Sequence, residues 1–141
     1  MGELNELGPS ECRALLGDHQ IGRVAVVAPD GPHIIPVNYA LVDETVILRT
    51  SPLSLVATLG RNASVAFEVD HLDQVTHTGW SVVVTGEAHE LTGPDALAEV
   101  AKLRLRPWTP GPKSRYVRIV PDHVEGRRIV HLADGHYRRT S

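Results

Sequence analysis

Arg49-Thr50-Ser51-Pro52 brings a guanidinium, two hydroxyls and the start of a helix together. A helix N-terminus offers unpaired N–H groups and partial positive charge, which favour an anion such as a phosphate. Arginine adds a planar fork suited to phosphate oxygens, and the hydroxyls add donors. The same residues also make an ordinary N-cap with Arg49 paired to a surface acid, and spacing alone leaves both readings open. Pro36-Val37-Asn38-Tyr39 is a second grouping. Proline cannot donate to a sheet ladder, so a strand that contains it exposes main-chain groups at an edge or bulge. Asn38 carries a donor and an acceptor that could read the polar rim of a flat heterocycle. The competing reading is an edge strand that feeds a turn. Trp80-Ser81 and Trp108 form the third grouping. In a chain with 4% aromatic residues, two tryptophans beside polar turns either flank a ring system or anchor a core or interface.

Other chemistries lack their residues. Cys12 has no His or Asp tied to it by any motif and reads as a small buried helix residue. The eight histidines show no metal-ligand spacing and read as solvated, with no metal expected. No Gly-x-Ser-x-Gly, P-loop or acid–base pairing supports a hydrolase or kinase. A Rossmann unit is disfavoured because no Gly-x-Gly-x-x-Gly follows a strand.

The elements that would position these groups follow from turn and periodicity signals. Gly8-Pro9-Ser10-Glu11 opens a short helix that Gly17-Asp18 ends. Val24–Val27, His33–Tyr39 and Val46–Arg49 read as three strands of an antiparallel meander, separated by Pro29-Asp30-Gly31-Pro32 and Val42-Asp43-Glu44-Thr45. A helix is expected from Ser51 to Gly60, with a core side of Leu55, Val56 and Leu59. Ser64–Val69 is a fourth strand, Asp70–Gly79 a polar loop and Trp80–Leu91 a fifth strand, in which Gly86 marks a bulge or barrel bend. Pro94–Leu105 has helical spacing, and a stiff proline-rich loop follows from Arg106. Tyr116–Val120 and Val124–Ile129 complete the strands. The expected fold class is mainly β with peripheral helices: a split β-barrel, antiparallel and Greek-key-like.

Bulk properties agree with one domain over residues 1–130 and a polar tail over 131–141. A chain of 141 residues can bury a core without a disulfide or metal staple, and 42% hydrophobic content is globular. A net charge of −3 gives no footprint for nucleic acid. No apolar run is long enough to span a bilayer, no basic, apolar leader opens the sequence, and a lone cysteine fits a reducing compartment. The expectation is a cytoplasmic protein without a membrane partner. Twelve of the fourteen basic residues are Arg, which suggests a GC-rich bacterial genome.

In order along the chain, Gly22-Arg23-Val24-Ala25, Pro36-Val37-Asn38-Tyr39, Arg49-Thr50-Ser51-Pro52, Ala66–Asp70, Gly79–Val84 and Gly126–Ile129 resemble the pyridoxamine 5′-phosphate oxidase-like superfamily of FMN-binding split β-barrels. More narrowly they resemble its small, nitroimidazole-reductase-like bacterial branch. The resemblance implies a homodimer with two flavin sites at the interface and hydride transfer to or from a small organic substrate. Arg49, Thr50 and Ser51 would hold the FMN phosphate. Pro36, Val37, Asn38 and Tyr39 would line the isoalloxazine ring, with Trp80, Ser81 and Trp108 nearby. Where relatives place a phosphate-binding Lys, this chain has Leu55, which weakens FMN binding. The alternatives are an F420-dependent reductase of the same fold, or a non-catalytic flavin- or haem-binding dimer with a degenerate site. No acid or base residue is implied for the hydride step.

Overall fold

A computed structural model describes residues 2–51, 63–106 and 115–131, the side chains of residues 2 and 131 excepted. The expected helix beyond Ser51, the proline-rich loop beyond Arg106, with Trp108, and the tail beyond residue 131 lie outside them. The elements are β1 (Gly2–Leu7), α1 (Pro9–Gly17), β2 (Ile21–Ala28), β3 (Gly31–Val42), β4 (Thr45–Thr50), β5 (Ala63–Asp73), β6 (Thr78–Glu90), α2 (Pro94–Ala101) and β7 (Arg115–His131).

Hairpins built on local turn chemistry connect the strands. Asp43 and Glu44 both have positive φ (48° and 63°), the backbone of a two-residue turn between β3 and β4. Asp73 accepts the N–H groups of Val75 and Thr76, so the segment expected as a loop from Asp70 to Gly79 is a tight hairpin whose strands run to Asp73 and from Thr78. Every strand pairing is antiparallel, and β5 returns beside β2 after the β2–β3–β4 meander. That spatial order is a Greek key. The β6–β7 pairing then closes β7-β4-β3-β2-β5-β6 into a barrel.

The long strand β7 makes the barrel split. Along one edge, Arg115–Ile119 pairs with β4 and Gly126–His131 pairs with β1, so residues between them separate the two partners. Opposite, Thr85 pairs with His123 and Gly86 with Pro121, which leaves Asp122 as the extra residue of a bulge. A Cβ on Gly86 would lie 2.1 Å from the Val120 carbonyl oxygen, so only glycine fits there. The two short strands expected at 116–120 and 124–129 are thus one bulged strand. Strand β1 was not expected: Gly-Glu-Leu-Asn-Glu-Leu lacks β-branched residues, and its pairing with β7 decides the conformation.

Inward residues of every barrel strand form the main core, including Val24, Tyr39, Leu48, Phe67 and Val82. A smaller cluster forms on the outer surface, where Val100 of α2 and Leu105 cover Ile47. Helix α2 stops at Ala101 rather than Leu105. Leu103 and Arg104 donate to carbonyls three residues back, and Arg104 turns the chain with φ 51°. The turn lets Leu103 and Leu105 drop onto the sheet. No helix among the described residues is long and apolar enough to cross a membrane.

Candidate functional site

Strand alternation decides which expected site residues share a face. In β3, Val37 and Tyr39 point into the core. The Tyr39 hydroxyl donates to the Leu16 carbonyl, and its ring meets Phe67 edge-on at 4.8 Å. Burial raises the Tyr39 pKa, with the charge of Asp18 adding to it, so the hydroxyl stays a donor. Tyr39 therefore borders the site with its ring turned away from it. Pro36 and Asn38 lie on the outer face. Pro36 pairs with Arg23 on β2, beyond the last β4 partner at Asn38, so it occupies a true edge position.

Asn38 opens into a cleft of about 320 Å³. One wall is the α1–β2 turn, with Gly17, His19 and Gln20; the other is the strap from Leu103 to Arg106. Asn38 is only 9% exposed, yet no described residue hydrogen-bonds its carboxamide. That leaves the carboxamide open to a ligand or water in the cleft. Arg104 and Arg106 add positive charge at the same cleft.

Arg49 sits across from Asn38 on β4. Its Nη1 donates to the Leu105 carbonyl at 2.8 Å, and its guanidinium carbon lies 5.7 Å from the Tyr116 ring centroid. Arg49 thereby ties the strap to the barrel, a structural task the spacing did not reveal. Thr50 is buried on the opposite face of β4, and Ser51 follows at the strand end. These three share a strand terminus but not a face. Leu55 and Trp108 lie outside the described residues.

Trp80 is buried, and its ring packs at 4.8 Å and 69° against His19. Ser81 points outward into a separate hollow of about 240 Å³ with Glu68 and Arg127, so within one chain it does not join the Asn38 cleft. On that outer face Arg23 lies 3.4 Å from Glu68 and 3.6 Å from Asp70. Burial raises the Glu68 pKa, as do the hydrogen bond with Asp70 and its charge, while Arg23 opposes them. The Cys12 thiol is also pushed up, first by burial and then by Glu11, which keeps it a poor nucleophile.

Sequence reasoning missed His19, Gln20, Arg104 and Arg106. His19 was expected in solvent, but it is half-buried between Leu15 and Trp80. The arginines belonged to the expected end of a helix and the start of a loop, which carried no motif.

A Greek-key split barrel with a polar cleft at one strand edge defines the class: a split-barrel protein of the flavin-associated type. The chain belongs to the pyridoxamine 5′-phosphate oxidase family, whose profile matches residues 9–128. An uncharacterized protein of Mycobacterium tuberculosis is 40% identical over 133 residues, 91% of this chain and 87% of that protein. The solved structure of the FAD binding protein from Mycobacterium smegmatis is 34% identical and superposes with a TM-score of 0.76, covering 88% of this chain and 97% of that one. A FAD-binding protein from Mesorhizobium loti shares the fold at 22% identity and TM-score 0.72, over 93% of this chain and all (100%) of that one.

Proposed function

We propose that the Asn38 cleft binds a flavin and that the protein is a flavin-dependent oxidoreductase acting by hydride transfer on a small organic substrate. The observation that carries this reading is the carboxamide of Asn38, which no described residue hydrogen-bonds, in a cleft that also holds two arginines. A flavin has a hydrogen-bonding ring edge and an anionic tail, and this donor set meets both. Asn38 and Gln20 would hold the ring edge, and Arg104 and Arg106, with the β4 terminus at Arg49–Ser51, would hold the phosphate. The bound flavin supplies the redox chemistry; the protein orients it and limits water. Membership of the family and likeness to a FAD binding protein support the same reading.

The cofactor is FMN in this proposal, and the functional unit is a homodimer. Val27 and Ile34 are 74% and 73% exposed on the outer face of β2 and β3, an apolar surface that a second copy would cover. That face adjoins the cleft, because Ile21 pairs with Asn38. A second reading, the deazaflavin F420, is favoured by Arg104 and Arg106, which provide more positive charge than one phosphate needs. Titration with FMN, FAD and F420, followed by flavin fluorescence, tests all of this. Saturable binding of FMN at micromolar concentration is expected; no response to any of the three ends the flavin reading.

A further inference from the structure

We propose that His19 is a specificity-determining residue of the cleft, whose Nε2 accepts the imide N–H of a bound flavin ring. The inference rests on the flavin reading above. His19 Nδ1 lies 2.8 Å from the Leu15 carbonyl oxygen. A carbonyl only accepts, so Nδ1 carries the hydrogen, and in the neutral ring Nε2 is left as an acceptor. Contact with Trp80 fixes the ring at a second place. No described residue hydrogen-bonds Nε2.

The turn that carries His19 is itself anchored beside Asn38. The Tyr39 N–H donates to the Gln20 carbonyl at 2.9 Å, which pins the residue after His19 to the residue after Asn38. His19 and Asn38 line the same cleft. The pyrimidine rim of a flavin runs carbonyl, N–H, carbonyl. A locked acceptor at His19 and an amide donor at Asn38 complement two neighbouring groups of that rim. Without the Leu15 bond, the imidazole could present either a donor or an acceptor. With it, a ligand that reaches Nε2 of the neutral ring meets an acceptor. His19 selects and positions; no proton is transferred.

The test compares FMN with N3-methyl-FMN, which lacks the imide hydrogen, by fluorescence titration of the full chain. Wild type is expected to bind FMN about tenfold more tightly than the methylated form, as suits one hydrogen bond lost in a buried site. His19→Phe, which keeps a ring against Trp80, is expected to bind the two alike. His19→Gln, whose side-chain oxygen accepts, restores part of the preference. Thermal unfolding of each variant separates lost binding from lost structure, and the wild-type comparison needs no variant at all. Equal wild-type affinity for both flavins, or an undiminished preference in folded His19→Phe, overturns the assignment while leaving flavin binding intact. Failure of both flavins to bind wild type overturns the flavin reading and this one with it.

Discussion

The two ends of the outer face of strand β3 have opposite fates. Toward β4, the outward Ile47 and Ala40 are roofed by α2 and the Leu103–Leu105 strap. Toward β2, the outward Ile34 and Val27 lie open. The sequence supplies apolar residues to both sides, so hydrophobicity alone does not explain the difference. What differs is the roof: a short helix and a turn at Arg104 that folds its chain back. Asn38 lies at the seam, paired with Arg49 on the covered side and Ile21 on the open side. A cleft at such a seam has both walls within the chain and opens beside the uncovered face.

The largest expected effect breaks the covered side. Ile47 is fully buried (0% exposed), and Ile47→Ala should cost about 2–5 kcal/mol in urea unfolding. Ile34→Ala in dilute protein should stay within about 0.5 kcal/mol. Similar losses at both positions would mean that the open face is already covered, and the contrast would vanish.

The next prediction sharpens the open side. If a second copy seats there, Ile34→Asp should weaken self-association at least about 30-fold, as burying an unpaired charge at an interface centre does. Sedimentation velocity across a concentration series reads this directly. A wild type that is monomeric at high concentration, or a variant that assembles like wild type, removes the proposed dimer from this face.

How much of this was legible in the sequence follows from the same contrast. The meander, the β3–β4 turn and the bulge at Gly86 were readable, because local turn chemistry and a glycine that tolerates no Cβ leave direct traces. Strand β1 left none, since partner pairing rather than propensity forms it. Asn38 was found through its neighbour Pro36. His19 and Arg104 were not, because their roles depend on a carbonyl four residues back and on a turn with positive φ in a non-glycine residue. Arg49 was noticed for its charge, whereas the structure gives it the Leu105 carbonyl to hold.

A smaller change tests the seam itself. Asn38→Leu replaces an amide that no described residue hydrogen-bonds with an apolar group of similar size. Stability should hold or rise by up to about 1 kcal/mol, because no hydrogen bond to a described residue is lost and an apolar group suits a largely buried position. FMN binding should fall at the same time. A loss of stability in Asn38→Leu would mean that the carboxamide already serves the fold, and the seam would be structural only.

The smallest effect is a matter of pH on the open face. Glu68 shares Arg23 with Asp70, and its folded pKa lies above the ordinary glutamate value, through burial first and then through Asp70. The folded state therefore holds this proton more tightly than the unfolded chain does. Stability from Glu68 is complete below the ordinary glutamate value and is lost as pH rises through the raised one. Acidification from neutral into that window should stabilise wild type relative to Glu68→Gln. In dilute protein the gain should stay under about 1 kcal/mol, because the side chain is partly solvated. A partner seated on the open face would bury Glu68 further, so the difference should then grow with protein concentration. Urea unfolding of both proteins at neutral and mildly acidic pH, at two concentrations, measures it. A pH difference of the opposite sign would mean that Arg23 outweighs burial and Asp70, and that the open face favours the carboxylate; a difference independent of concentration would separate Glu68 from any interface.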